Sequence, residues 1–162
     1  MIAMRSIERR AKHVLSALYF AAALVVPAWG ADEDLKGLTQ AGYEAYLMNE
    51  TRACGLTEDA ILTSVKRIVS ERTKIQEIRA RYPGIILSMR TIKINDICVH
   101  HANLELVNLH LLNFVYNGTT FARPVVIWRQ DAMTSGNANT AQEQVQALAR
   151  KLVESWQKFN SK

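Results

Sequence analysis

Residue types that announce a chemistry are scarce in this chain. It has 162 residues and only seven glycines, no two of them adjacent. A phosphate-cradling loop needs closely spaced glycines, so that backbone N–H groups can converge on the anion. That site is excluded. The G-x-S-x-G elbow and the H-E-x-x-H zinc helix are absent as well. Cysteine occurs only as Cys54 and Cys98, never as C-x-x-C, which argues against thioredoxin-like redox work. No repeat and no low-complexity tract is present. The chain reads as non-catalytic and implies no cofactor. A small hydrolase whose site is assembled across space from His100, His101 or His110 with a serine and an acid is the remaining enzymatic alternative.

Long hydrophobic runs are also few. An uncharged apolar run from Val14 to Val26 stands behind Arg5, Arg9, Arg10 and Lys12, and ahead of Pro27 and Ala28-Trp29-Gly30. That order, basic start then short apolar segment then small residues, is the order of a secretory signal peptide. A spanning helix needs about 20 apolar residues. This run is shorter, and Asp32, Glu33 and Asp34 follow it closely. Residues 1–30 are expected to be a cleavable export signal, cut after Gly30. Residues 31–162 are expected to be a single domain without a transmembrane anchor. The Ala/Leu/Val-rich segment has a bacterial character, so the expected destination is the periplasm, or the medium if the protein is secreted.

Neither sign of charge dominates. The whole chain has 20 Lys+Arg and 15 Asp+Glu. With the four bases and one acid of residues 1–30 set aside, 16 and 14 remain, a net of +2. Nucleic-acid binding calls for a clustered basic face, and none is expected. The nearest approach is Lys66, Arg67, Arg72, Lys74, Arg79 and Arg81, interrupted by Glu71 and Glu77. It reads first as a solvated face, and second as a weak contact for an anionic surface.

The two cysteines support two exclusive readings. In an oxidising compartment an even count implies a disulfide. Cys54 and Cys98 lie 44 positions apart, and closing so long a loop stabilises a fold by roughly 4 kcal/mol less strain. The alternative is a soft-metal site built on Cys98, His100 and His110. On a strand, Cys98 and His100 share a face while His101 points away. Zinc sites normally carry ligand pairs at both ends of the spacing, and no second pair exists here.

Periodicity outlines the rest. Tyr43, Tyr46, Leu47 and Cys54 suggest a helix over residues 39–54, closed by Gly55. Thr57 caps a second helix with Ile61, Leu62, Val65, Ile68 and Val69 on one stripe, continuing raggedly through Ile75 and Ile78 to Pro83-Gly84. Ile85 to Ile94 reads as one or two strands, with a turn at Asn95-Asp96. Leu104 to Tyr116, the turn pair Asn117-Gly118, and Thr119 to Trp128 read as a long hairpin. Both faces of its first arm are apolar, which predicts an interior strand or a phase-shifting bulge. Pro124 has no N–H to donate, so its strand is expected at an edge or bulged. Met133 to Asn139 reads as a loop. A capping box at Thr140 and Glu143 opens a final amphipathic helix carrying Val145, Leu148, Leu152, Trp156 and Phe159.

The expected fold is α+β: an antiparallel sheet of three to four strands including the hairpin over about 104–128, two N-terminal helices, and one C-terminal helix, packed mainly on one face. The expected function is binding of another envelope or periplasmic protein. Phe121, Arg123, Trp128 and Arg129 are the candidate interface, because aromatic and arginine side chains commonly anchor interfaces.

Overall fold

A computed structural model describes residues 35–116 and 119–160; the side chains of residues 49, 110–116 and 119–122 lie outside that description. The expected export signal and the Asn117-Gly118 turn also fall outside it. The described chain is α+β, as expected. It runs β1 (Gln40–Asn49), a 3-10 turn (Arg52–Cys54), α1 (Glu58–Arg72), β2 (Gln76–Glu77), β3 (Gly84–Ile94), β4 (Ile97–Tyr116), β5 (Thr119–Gly136) and α2 (Ala138–Asn160). One five-stranded sheet has the order β2-β1-β3-β4-β5.

The expected antiparallel sheet proves to be mixed, and the first expected helix proves to be β1. This strand is parallel to both β2 and β3, while β3, β4 and β5 are antiparallel in turn. Residues 40–49 fit a helical period and a strand period about equally well. Tertiary pairing decides between them, since strand preference is set largely by packing against neighbours. In β1 the odd residues Ala41, Tyr43, Ala45 and Leu47 pack toward the core, so the operative period is two. Only the 3-10 turn at Arg52–Cys54 remains helical, closed by Gly55 at φ 83°.

A parallel pair needs a crossover connection, and α1 supplies it between β1 and β3. Thr57 caps α1, its hydroxyl accepting from the Ala60 N–H at 3.3 Å. Ile61, Val65, Ile68 and Val69 are buried. The helix stops at Arg72 instead of running on through Ile78. The Thr73 hydroxyl donates to Val69 O at 2.8 Å and accepts from Ile75 N at 3.1 Å, turning the chain into β2.

The hairpin forms in the expected place and is longer than expected. Asn95-Asp96 makes a two-residue turn with Asn95 at φ 55°, joining β3 to β4 at the pair Ile94–Ile97. β4 is interior, and its phase shifts at Leu106/Val107 and again at Leu112/Val115. Those shifts account for apolar residues of both parities. Pro124 lies on β5, which is an edge strand of the sheet. Met133 to Gly136, expected as loop, continues β5 opposite Cys98–His101. The last helix then starts earlier than the capping box proposed. Asn137 Oδ1 accepts from Thr140 N at 3.1 Å and from the Thr140 hydroxyl at 3.3 Å.

Both helices cover one face of the sheet. Ile85, Leu87 and Met89 of β3, Ala102, Leu104 and Leu106 of β4, and Val145, Leu148, Leu152 and Trp156 of α2 form a single core with α1. The end of α2 is clasped to the start of the described chain. The Trp156 indole donates to Leu38 O at 2.9 Å, and Asn160 bridges Leu35 O and Gly37 N at 2.8 and 2.7 Å.

Candidate binding surfaces

The other face of the sheet carries no helix, and alternation puts a defined set of side chains on it. β3 contributes Ile92 and Ile94, β4 contributes Ile97 and Val99, and the neighbouring strands add Met48 and Met133. Ile92, Ile94, Ile97 and Met133 are 55%, 57%, 57% and 70% exposed. Single exposed apolar residues are ordinary, but a contiguous group of large ones marks an interaction surface. Farther along this face lie three ion pairs: Arg129 lies 3.7 Å from Glu105, His101 3.7 Å from Asp131, and Arg81 3.4 Å from Glu44. Ile92, Ile94 and Ile97 gather at the β3–β4 turn, Met133 lies farther along β5 opposite His101, and the ion pairs lie along the strands away from the turn.

At the same end, on the helix side, Cys54 and Cys98 form the disulfide, with Cα atoms 6.3 Å apart. It fastens the turn after β1 to the start of β4. A sulfur bound in a disulfide is no longer a thiolate that could ligate a metal, so the Cys98–His100–His110 arrangement lacks its sulfur donor here. His100 does share the face of Cys98 and is 1% exposed. Its Nδ1 lies 2.9 Å from Thr91 Oγ1, while Nε2 is buried without a partner among the described residues. Burial lowers its pKa, against an opposing contact with the Gly136 backbone, so the ring is held neutral. The His110 side chain lies outside the description. Among the described residues no group of three or more His, Cys, Asp or Glu converges as metal ligands.

The four residues of the sequence-derived interface are dispersed. Trp128 is 5% exposed and part of the core. Its indole donates to Ser155 Oγ at 3.1 Å. Arg123 and Arg129 are exposed, the first on the edge strand near Pro124 and the second on the bare face beside Glu105. Phe121 is on β5 with its side chain outside the description. The exposed cluster at the β3–β4 turn went unnoticed in the sequence. Its signal is present, because Ile92 and Ile94 share parity with each other and not with the buried Leu87 and Met89.

No catalytic pairing replaces the missing motifs among the described residues. His101 and Asp131 sit beyond hydrogen-bond reach on an open sheet face, and the side chain that His100 reaches is Thr91. One Ser-x-x-Lys spacing exists, at Ser155 and Lys158. Ser155 is occupied by the Trp128 indole, and Lys158 is exposed beside the Phe159 ring at 4.9 Å. The basic residues of 66–81 are distributed over α1 and the segments on either side of β2 rather than along one helix. Lys66 pairs with Glu77 at 2.6 Å.

No protein-family model matches the chain, and no curated protein sequence is significantly similar to it. Among the described residues no helix is long and apolar enough to cross a membrane.

Proposed function

We propose that this chain is a small exported, non-catalytic module of the cell envelope that binds another envelope or periplasmic protein through the uncovered face of its sheet. The observation that carries the proposal is the exposed apolar group Ile92, Ile94, Ile97 and Met133, rimmed by ion pairs. An apolar centre within a polar surround is the usual anatomy of a protein interface. The disulfide supports an oxidising compartment, in keeping with the basic and apolar pattern of residues 1–30. Arg129 belongs to the rim of the proposed surface, whereas Arg123 and Phe121 lie toward the far end of β5, away from the β3–β4 turn. Trp128 supports it from inside, by holding β5 against α2.

Photo-crosslinking in the native cell tests this reading. A photoreactive side chain at Ile97 should give a discrete crosslinked species, and the same group at Glu143, on the solvent side of α2, should give none. The double variant Ile94→Lys/Ile97→Lys should abolish a crosslink made from Met133 while leaving the circular dichroism spectrum unchanged. Equal, diffuse labelling from both positions contradicts the proposal.

A further inference from the structure

The outer edge of β1 is open beyond its first two residues. β2 pairs only with Gln40 and Ala41, and the last bond of that ladder runs from Ile78 N to Ala41 O at 3.1 Å. Gly42 N donates to Pro83 O on the β3 side. Alternation therefore turns the backbone groups of the even residues toward β3, and those of Tyr43, Ala45 and Leu47 outward. Among the described residues nothing pairs with those outward groups. An unpaired strand edge is a template for a further strand.

Two clefts flank this edge, one on each side of the sheet. On the helix side a cleft of ≈ 430 Å³ lies between the edge and α1, bounded by Tyr43, Ile75, Thr63, Lys66 and Arg67. On the bare side a cleft of ≈ 520 Å³ lies beneath the segment that follows β2, bounded by Glu44, Ile78, Arg79 and Arg81. Side chains of an added strand would alternate between the two. Residues opposite Tyr43, Ala45 and Leu47 would face α1, against the Tyr43 ring and Ile75. Residues opposite Glu44 and Tyr46 would face Arg79 and Arg81. The acids of the groove are already engaged, Glu77 by Lys66 at 2.6 Å and Glu44 by Arg81 at 3.4 Å. Arg67 and Arg79 are exposed and have no ion pair among the described residues. The groove therefore has a surplus of two positive charges.

We infer that the β1 edge between α1 and the segment after β2 is a strand-addition site for an extended acidic segment of a protein partner, with apolar side chains toward α1 and carboxylates toward Arg79. The backbone supplies affinity and the alternating clefts supply selection, as in other sheets that bind by augmentation. This site is separate from the apolar group at the β3–β4 turn, so either can fail without the other.

The test uses the oxidised full chain and three synthetic eight-residue probes. One alternates aspartate and valine, one alternates lysine and valine, and one is the aspartate peptide with alternate amides N-methylated. Amide exchange is followed by NMR. The aspartate peptide should slow exchange at Tyr43, Ala45 and Leu47 at least tenfold, and the other two should not. The exposed-site double variant Arg67→Glu/Arg79→Glu should weaken binding at least tenfold with its spectrum otherwise unchanged. Raising salt from 50 to 300 mM should weaken it as well. No protection of these three amides at millimolar aspartate peptide overturns the inference. So does equal binding of the lysine peptide, or perturbation confined to Ile92, Ile94 and Ile97.

Discussion

His100 is buried against Thr91, Nδ1 to Oγ1 2.9 Å, and its other ring nitrogen has no partner among the described residues. The residues paired with it on either side, Thr91 on β3 and Thr134 on β5, are neutral. No described acid stands ready to receive a proton's charge. A histidine whose pKa falls on folding binds fewer protons folded than unfolded below its ordinary value, 6.5. Its contribution is therefore intact above that pH and declines as pH drops through it. Urea unfolding at pH 7.5 and 5.5 should show a larger loss for the wild type than for His100→Gln. Equal losses would mean that His100 is not a source of the pH dependence.

Gly42 and Gly84 face each other across the β1–β3 pair. The chain after β2 lies directly over both. A Cβ at Gly42 would overlap Ala80 O, and one at Gly84 would overlap Arg81 O. Both obstacles are backbone, so they cannot swing aside. Gly42→Ala and Gly84→Ala should each destabilise by about 1–3 kcal/mol, the usual cost of overpacking. Gly37→Ala provides a contrast, since open space surrounds its Cβ position but its φ of 77° is unfavourable. Thermal unfolding of the three variants reads the difference.

Cys54→Ala/Cys98→Ala removes a covalent link between the turn after β1 and the first residues of β4. The expected loss is roughly 2–5 kcal/mol. It should appear as a lower denaturant midpoint, and reductant should lower the wild-type midpoint to a similar value.

Trp128→Ala tests whether β5 is held to α2 as described. The cavity should cost about 3–5 kcal/mol. Trp128→Phe should cost less, because the phenyl ring fills much of the cavity while the hydrogen bond to Ser155 is lost. If Trp128→Ala is neutral by chemical denaturation, the indole is not part of the core.

The fold was legible where one period dominated. Thr57, the stripe from Ile61 to Val69, the β3–β4 turn at Asn95-Asp96 and the stripe from Val145 to Trp156 each have a local cause, a cap or a turn residue beside a clean pattern. β1 was hidden because Tyr43, Tyr46 and Leu47 satisfy a helix as well as a strand. Only the parallel partners on β2 and β3, remote in sequence, favour the strand. Thr134 and Ser135 look like loop residues, yet they complete β5 because Val99 and His100 stand opposite them. Similarly, Trp128 has the composition of an interface anchor, and a long-range contact with Ser155 takes it inside. The disulfide was accessible from compartment chemistry. The open edge of β1 was not, because it depends on where β2 stops.

The proposed function requires an oxidised domain that works outside the cytoplasm. Its most direct test is the intact mass of the protein recovered from its native host under non-reducing conditions. The account predicts a chain beginning at Ala31, lighter by two hydrogens than the reduced polypeptide. A full-length chain with both thiols free would contradict it.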